Sequence, residues 1–444
     1  MYDLIAVGGG SGGLALSKRS TSIYGKRVLL IDKTVLGGTC VNNGCIPKKM
    51  LYNAAYLHSE AECIDRHSEI EFDCNQFREK REKYIAFLNN MYAERNKKDG
   101  VKTVTGTATV HKDRVEVNGV EYKGSHIVLA MGSYPKMIDC LGNNNLLSSD
   151  DFFRFESIPK SVAIIGTGYI SIETAFVLAE FKCKVTLIAR REGVLRAFDT
   201  LIQKKVQKSL ESKGIRLIEN ATVVSLQEKN REINVEISHK ESQEHENIVV
   251  EKVICAVGRA ANTKSIKNPE IKTDAAGFVE TDNLFRTSAE GVYAIGDITM
   301  EESMLTPVAI FSGRRLADYL FGNSPKNIKK MISSVPTVVF SHPPAGSVGY
   351  SEEKARDLCS AVSVHIAEVD HPSSLFSTEK NSYKFIYDSE TSELHGVHVH
   401  GYECDEVLQG YSALVRNGIK YSKIREYLET IGSEESEFLS GAFE

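Results

Sequence analysis

No stretch of the 444-residue sequence has eighteen apolar residues in succession, which argues against a membrane-spanning helix and any membrane partner. Positive charge is not in excess either. The 54 Lys and Arg residues face 59 Asp and Glu residues, for a formal net charge of −5 at pH 7. We therefore expect no nucleic-acid interface. The sequence also lacks a signal peptide and a C-terminal anchoring motif, so we expect a soluble, cytoplasmic protein.

A disulfide framework is also absent, since seven of the nine cysteines are scattered without regular spacing. The other two, Cys40 and Cys45, lie in the segment GGTCVNNGCIPKK of residues 37–49. Four intervening residues let the two sulfurs meet across one helical turn and form an easily reduced bond. Because intracellular disulfides are usually catalytic or redox-sensing, we predict a redox-active pair; a purely structural disulfide is the alternative.

A glycine-rich turn follows the first apolar strand and precedes a predicted helix. It carries the G-x-G-x-x-G pattern at Gly8, Gly10 and Gly13. Glycines at this spacing permit a tight turn and let a pyrophosphate approach the amides of a helix N-terminus. The next strand, residues 27–31, ends in Asp32, whose carboxylate is placed to bind an adenosine ribose. The ordered elements predict a dinucleotide-binding fold; the alternative is a glycine-rich loop without a ligand.

The same order of elements returns further along the chain. A second apolar strand leads into Gly166 and Gly168, and a helix and another strand follow. That last strand ends not in an acid but in Arg190 and Arg191, with Arg196 nearby. Guanidinium groups suit a ribose that carries a 2′-phosphate, so NADPH is favoured over NADH. The alternative is a solvated basic turn.

A third apolar strand, GVYAIGD at residues 291–297, also ends in an acid, Asp297. This carboxylate is suited to hold the ribityl chain of a flavin. A helix is predicted from Thr306 onward. Its positive N-terminal end would stabilise negative charge at the pyrimidine edge of a reduced flavin.

In this order, the motifs resemble those of the flavoprotein disulfide reductases, the FAD-dependent pyridine nucleotide-disulfide oxidoreductases, from end to end of the chain. Further matching segments are SSDDFF (148–153), GTGYISIE (166–173), IARREGVLRAFD (188–199), AVGRAANT (256–263), LTPVAIFSGRRLA (305–317), FSHPPAGSVG (340–349) and CDEVLQG (404–410). The resemblance implies FAD and NADPH as cofactors and a homodimer. It also implies an α/β fold with two Rossmann-like dinucleotide-binding domains and an α+β C-terminal dimerisation domain.

The resemblance also divides the chain into domains. The FAD-binding domain is expected at residues 1–157 and 265–331, with the NADPH-binding domain at residues 158–264 inserted between them. The dimerisation domain is expected at residues 332–444.

Family roles can be placed on matching residues. Cys45 resembles the thiol nearest the flavin, and Cys40 the interchange thiol that attacks the substrate. Lys48 resembles the lysine at the reactive nitrogen of the flavin, and Glu173 its ion-pair partner. Tyr169 resembles the aromatic lid that moves when nicotinamide enters, although a packed core tyrosine is the alternative.

The remaining implied contacts concern cofactors and substrate. The cofactor-binding residues are Gly8, Gly10, Ser11, Gly13, Asp32, Thr39, Lys48, Gly132, Gly166, Gly168, Tyr169, Ile170, Arg190, Arg196, Gly258, Asp297 and Thr306. Lys18, Tyr92 and Arg314 match positions that contact glutathione disulfide, although arginine is usual where Lys18 stands. Relatives that act on trypanothione use a tryptophan, which this sequence lacks. Glutathione disulfide is therefore the expected substrate, and no metal site is predicted.

One family feature is missing near the C-terminus. The family carries a histidine there, paired with a glutamate, that handles the proton of the interchange thiol across the dimer. No histidine follows His400 in this chain, and alignment of the family's Ser-Glu-Glu puts Glu429 at its place and Glu434 at its partner. We expect a reductase with slower thiol release, in which water or a carboxylate such as Glu434 or Glu435 stands in imperfectly for the imidazole. Two alternatives stay open: a flavin enzyme with another acceptor, and a dimeric binding protein in which catalysis has decayed.

Overall fold

The computed structural model describes residues 1–64, 72–299, 304–322, 329–332, 334–371, 380–424 and 426. The chain divides into two compact units. Unit 1 consists of residues 1–50, 74–136 and 258–333, and unit 2 of residues 51–73, 137–257 and 334–444.

The described chain contains both β-strands and α-helices. The strands are β1 (Tyr2–Val7), β2 (Val28–Asp32), β3 (Lys102–Thr105), β4 (Ala108–Val110), β5 (Val115–Val117), β6 (Val120–Tyr122), β7 (Gly124–Leu129), β8 (Ser133–Pro135), β9 (Leu146–Ser148), β10 (Ser161–Ile165), β11 (Lys184–Ile188), β12 (Arg216–Ile218), β13 (Ala221–Lys229), β14 (Glu232–His239), β15 (His245–Val250), β16 (Lys252–Cys255), β17 (Arg259–Ala261), β18 (Val292–Ala294), β19 (Thr337–Val339), β20 (Ala345–Gly349), β21 (Val362–Val369), β22 (Asn381–Asp388) and β23 (Leu394–His400). The helices are α1 (Ser11–Ser22), α2 (Gly38–Asn42), α3 (Cys45–Ile64), α4 (Cys74–Lys98), α5 (Tyr169–Glu180), α6 (Thr200–Ser212), α7 (Thr306–Phe321), α8 (Glu352–Leu358) and α9 (Cys404–Arg416). Among the described helices, none is both long and apolar enough to cross a bilayer.

Unit 1 is built on a five-stranded parallel sheet in the order β18-β7-β1-β2-β3. Its central strand is apolar on both sides. Ile5 and Val7 pack into one hydrophobic cluster, and Leu4 and Ala6 into another. A strand buried on both faces is typical of a doubly covered parallel sheet, so this part of the chain has the predicted dinucleotide-binding architecture.

Helices α1 and α7 of unit 1 pack closely through facing glycines. A Cβ atom added at Gly313 would lie 2.4 Å from the carbonyl oxygen of Gly12. No larger side chain fits there without moving a backbone, so the two helix axes can approach closely. This packing brings the N-termini of both helices to the same region of unit 1.

Unit 2 contains the second predicted parallel sheet, in the order β12-β11-β10-β16-β9. The antiparallel strands β13, β14 and β15 form a smaller sheet. A second five-stranded sheet in unit 2, β19-β20-β23-β22-β21, is antiparallel. Tyr383 and Phe385 of this sheet pack with Leu408 and Tyr411 of α9. The α+β segment expected at the C-terminal end is therefore present.

A buried ion pair joins α6 of unit 2 to the antiparallel sheet. The Lys384 ammonium lies 2.8 and 3.0 Å from the two carboxylate oxygens of Asp199, and both side chains are at least 97% buried. Asp199 also accepts hydrogen bonds from the amides of Leu201 and Glu352, at 2.8 and 2.9 Å. Glu352 pairs with the same ammonium at 2.8 Å. These contacts satisfy charges that burial would otherwise make costly.

We expect Asp199→Ala to lower the free energy of unfolding by about 3–5 kcal/mol, because it leaves Lys384 short of a partner in the interior. Urea denaturation followed by circular dichroism measures the change. The matched control is Asp113→Ala, since Asp113 pairs with Arg114 at the surface and such pairs contribute at most about 1 kcal/mol. Equal, small effects of the two variants would contradict a structural role for the buried pair.

Candidate functional site

The turn between β1 and α1 is compatible only with glycine at two positions. Gly8 has a φ of +114°, and a Cβ atom there would lie 2.2 Å from the carbonyl oxygen of Ala130. A Cβ atom at Gly13 would lie 1.9 Å from the carbonyl oxygen of Gly8. Gly10 caps the helix without a side-chain hydrogen bond. The amides at the start of α1 are therefore open to an anion, and the turn fits the pyrophosphate of FAD.

Asp32 ends β2 beside this turn. Its Oδ2 accepts a hydrogen bond from the amide of Gly9 at 2.6 Å, and its Oδ1 accepts one from the amide of Thr34 at 2.8 Å. The Thr34 hydroxyl also donates to Oδ1, at 3.4 Å. These bonds fix the carboxylate at the edge of the sheet, and Oδ2 retains a further lone pair. The arrangement fits the ribose contact predicted for this residue.

The two cysteines of the predicted redox pair lie together as free thiols. Cys40 belongs to α2, and Cys45 is the first residue of α3. The Sγ of Cys45 lies 3.3 Å from the Oγ1 of Thr306, the first residue of α7. Cys40 hydrogen-bonds to Cys45 and also to Ser11, the first residue of α1. The thiol pair is therefore held where two helices begin.

The environment favours a thiolate on one sulfur only. The hydrogen bond from Cys40, together with that of Thr306 and the charge of Lys48, outweighs burial and lowers the pKa of Cys45 from 9.0 to about 6. The same hydrogen bond to Cys45 raises the pKa of Cys40, with burial acting in the same direction. At neutral pH the reduced pair therefore consists of a Cys45 thiolate and a Cys40 thiol.

We expect Thr306→Val to raise the pKa of Cys45 by about one unit, because one hydrogen bond to the thiolate is lost. In the unaltered reduced protein, alkylation of Cys45 by iodoacetamide should rise with pH through a midpoint near 6. Mass spectrometry of the modified peptide gives the rate at each pH. Thr103→Val, at an exposed position on β3, is the control and should leave the midpoint unchanged. An unmoved midpoint in Thr306→Val would rule out this role for the hydroxyl.

Asp297 follows β18 in unit 1 and belongs to a second polar group. It accepts a hydrogen bond from the Ser133 hydroxyl at 3.0 Å, and Arg259 donates to the same hydroxyl at 2.8 Å. Burial raises the pKa of Asp297, although Ser133 and Arg259 act in the opposite direction. The adjoining Gly132 and Gly258 both have positive φ, of +65° and +120°. The half-buried carboxylate is suited to a polyol chain, and its contact with a flavin stays a prediction.

A cavity of about 440 Å³ lies between α1 and α7. It is lined by Arg19, Pro307, Ile310, Phe311, Arg314 and Arg315. Of the three predicted substrate residues, only Arg314 lines it. Lys18 is exposed on α1 outside the lining, and Tyr92 packs partly against the hydrophobic core. The neighbour of Lys18, Arg19, faces the cavity instead.

The second dinucleotide turn lies in unit 2. Gly166 has a φ of +118°, and a Cβ atom there would lie 2.4 Å from the carbonyl oxygen of Ala256. Gly168 caps α5 without a side-chain hydrogen bond, so the amides at this helix start can also receive a pyrophosphate. Tyr169, the first residue of α5, is 41% exposed and therefore not a fully packed core residue. The next residue, Ile170, is half-buried.

Glu173, further along α5, is buried and accepts a hydrogen bond from the amide of Phe340 at 3.0 Å. Its predicted partner Lys48 belongs to unit 1, so their pairing stays a prediction.

Other predicted site residues lie at the surface or outside the described part of the chain. The arginines that follow β11, Arg190 and Arg196, are both exposed. Glu434 lies outside the described residues. Thr39 lies in α2 next to Cys40 and is exposed.

We expect Arg190→Gln to raise the KM for NADPH by roughly tenfold, because a charge-assisted hydrogen bond to the 2′-phosphate is lost. The KM for NADH should stay unchanged, since NADH has no phosphate there. Steady-state kinetics with both nucleotides measures the two values. Arg231→Gln, an exposed arginine between β13 and β14, is the control. Equal effects on both nucleotides would mean that Arg190 does not recognise the phosphate.

Sequence reasoning missed part of the cavity. Arg19, Arg315 and Asp318 form a connected group in which Asp318 pairs with both arginines. The spacing of Arg315 and Asp318 on α7 was a usable signal, because residues three apart on a helix are neighbours. The pairing with Arg19 spans 299 residues and has no local signal.

No group of three or more metal-ligating side chains is present within the described part of the chain.

Two nucleotide turns, a half-buried acid suited to a flavin side chain and a thiol pair with one acidic thiol define a flavin-dependent disulfide oxidoreductase. The chain belongs to the pyridine nucleotide-disulphide oxidoreductase family, whose model matches residues 2–313. The dimerisation domain of that family matches residues 335–430. These matches confirm the predicted α/β fold class, the FAD and NADPH cofactors and the homodimer.

A similar protein is the glutathione reductase of Yarrowia lipolytica (strain CLIB 122 / E 150). It is 33% identical over 444 residues, which cover 94% of this chain and 94% of that protein.

Proposed function

We propose that this protein is an NADPH-dependent reductase of glutathione disulfide that uses FAD and the Cys40/Cys45 pair. The observation that best supports this function is that the Cys45 thiol, whose pKa is lowered, is hydrogen-bonded to a Cys40 thiol that stays protonated. The relative with end-to-end similarity carries the name glutathione reductase, which supports the choice of substrate. Bound FAD supplies two-electron transfer from NADPH to the disulfide.

The chemistry of the cysteines follows from their geometry. Cys40 loses its proton and attacks one sulfur of the substrate disulfide, whose S–S bond breaks and releases one thiol after protonation. The Cys45 thiolate then attacks the Sγ of Cys40, which releases the second thiol and forms the Cys40–Cys45 disulfide. Two electrons from NADPH restore the dithiol pair. In total, NADPH, one proton and the disulfide give NADP⁺ and two thiols.

The first step needs a base, because the hydrogen bond to Cys45 raises the pKa of Cys40. The family uses a histidine for this proton, and this chain has none after His400. We assign the role to water or to a carboxylate such as Glu434 or Glu435, as an imperfect substitute. General acid–base assistance contributes about 10²–10⁴-fold in rate, so a slower release of thiol follows.

A second candidate function keeps FAD and NADPH but uses another electron acceptor. The missing histidine favours it, since an acceptor such as a quinone does not need an acid to protonate a leaving thiolate. This candidate and the first differ in whether glutathione disulfide reoxidises the NADPH-reduced protein.

The remaining site and domain assignments belong to the same proposal. Lys48 with Glu173 supports the flavin, and Tyr169 covers the nicotinamide site. The FAD-binding domain is residues 1–157 and 265–331, the NADPH-binding domain residues 158–264, and the dimerisation domain residues 332–444. We also propose a cytoplasmic location, where a pool of glutathione is kept reduced.

The test is an anaerobic titration of the purified protein with NADPH, followed by glutathione disulfide. We expect long-wavelength absorbance from the Cys45 thiolate beside FAD, and glutathione disulfide should discharge it. Absorbance that glutathione disulfide leaves in place, but a quinone removes, would favour the second candidate.

Cys40→Ser separates the two half-reactions. NADPH should still reduce the variant, but turnover with glutathione disulfide should be lost, because no thiol attacks the substrate. The steady-state consumption of NADPH gives the result. Cys359→Ser, which changes a half-buried cysteine in unit 2, is the control and should keep full turnover. Undiminished turnover in Cys40→Ser would contradict the interchange role of Cys40.

A further inference from the structure

Asp318 is a buried carboxylate at the edge of the cavity between α1 and α7. Its side chain is only 7% exposed. It pairs with the Nε of Arg19, accepts a hydrogen bond from the Tyr24 hydroxyl at 2.9 Å and another from the Nη1 of Arg315 at 3.2 Å. Two of these three donors belong to arginines that line the cavity.

The two arginines use only part of their hydrogen-bonding capacity on Asp318. Each guanidinium has five N–H donors in a planar fork, and the contacts engage one nitrogen of each. Arg315 is held from a second side, because its guanidinium lies 5.3 Å from the centre of the Phe311 ring. The remaining N–H groups of the two arginines can therefore donate hydrogen bonds to a ligand. Because the side chains are already ordered, binding costs little conformational entropy.

The balance of charge in the cavity also favours an anionic ligand. The cavity lining contains three guanidinium groups, those of Arg19, Arg314 and Arg315, and one buried carboxylate lies behind two of them. Asp318 reduces the mutual repulsion of the cations but leaves a positive excess. The apolar wall of Pro307 and Ile310 limits the water that competes for these donors. Such a surface fits a ligand with at least two carboxylates and an uncharged middle.

We propose that Asp318 is a positioning residue that holds Arg19 and Arg315 ready for the carboxylates of the disulfide substrate. The inference rests on the proposed function, in which the substrate is glutathione disulfide. Asp318 does not touch the reacting sulfurs. It acts through the two arginines, so it governs substrate affinity and not the thiol chemistry.

The experiment is steady-state kinetics of Asp318→Asn as the FAD-loaded dimer, with glutathione disulfide and with uncharged 2-hydroxyethyl disulfide. Asparagine keeps the shape but removes the charge that fixes both guanidinium groups. We expect the KM for glutathione disulfide to rise about tenfold, the effect of losing one charge-assisted hydrogen bond. The kcat should stay within about twofold, because the thiol steps are untouched. The kinetics with 2-hydroxyethyl disulfide should not change.

Two controls isolate the positioning role. Asp282→Asn removes a comparable contact of an aspartate with Arg286, outside the cavity, and should leave both KM values unchanged. Tyr24→Phe keeps the ring and both arginine contacts but removes the hydrogen bond to Asp318 whose donor does not line the cavity, so it should not raise the KM for glutathione disulfide selectively. If Asp318→Asn does not retain FAD, Asp318→Glu takes its place; it keeps the charge but displaces it, and the same selective rise in KM is expected.

The outcomes distinguish this inference from the function on which it rests. An unaltered protein that fails to reduce glutathione disulfide contradicts the proposed function, and the inference with it. Normal reduction by the unaltered protein, with an unchanged KM in the folded Asp318 variant, overturns the inference alone. An equal loss with the charged and the uncharged disulfide also overturns it, because that pattern reports general damage to the fold.

Discussion

The backbone contact between Gly12 of α1 and Gly313 of α7 determines where the thiol pair and the arginine-lined cavity of unit 1 lie. Because Gly313 has no side chain, the helices meet at a separation that a Cβ atom at this position would prevent. Near one end of this contact, Ser11 and Thr306 reach the thiol pair. Further along the same two helices, Arg19 meets Asp318. This packing contact therefore positions both the hydroxyl of Thr306, which lowers the pKa of Cys45, and the carboxylate of Asp318, which orients Arg19.

Much of the fold could be predicted because its signals are local. The turn at Gly8 and Gly13 and the acid at Asp32 lie within one βαβ segment, and their order specifies the architecture. The ion pair of Asp199 and Lys384 gave no such signal. These two residues are 185 positions apart, and only the folded chain shows that an isolated lysine on β22 meets the residue that caps α6.

The candidate site was predictable to a similar extent, and for the same reason. Cys40 and Cys45 are identified by their spacing alone, whereas the contact of Thr306 with Cys45 joins residues 261 positions apart and has no local signal in the sequence. The choice between Lys18 and Arg19 did not follow from the sequence. Neighbouring helix positions differ by about 100° in direction, so the residue that faces the cavity depends on the rotation of α1 against α7. That rotation is set by long-range packing.

The difference in pKa between the two thiols also affects how easily the protein is oxidised or alkylated. A thiolate is the form of cysteine that peroxides and electrophiles attack, and Cys45 holds this form at neutral pH whenever the pair is reduced. The closed disulfide has no such nucleophile. Ample reductant without substrate therefore leaves the protein in its chemically vulnerable state, and each turnover that closes the disulfide returns it to the protected one.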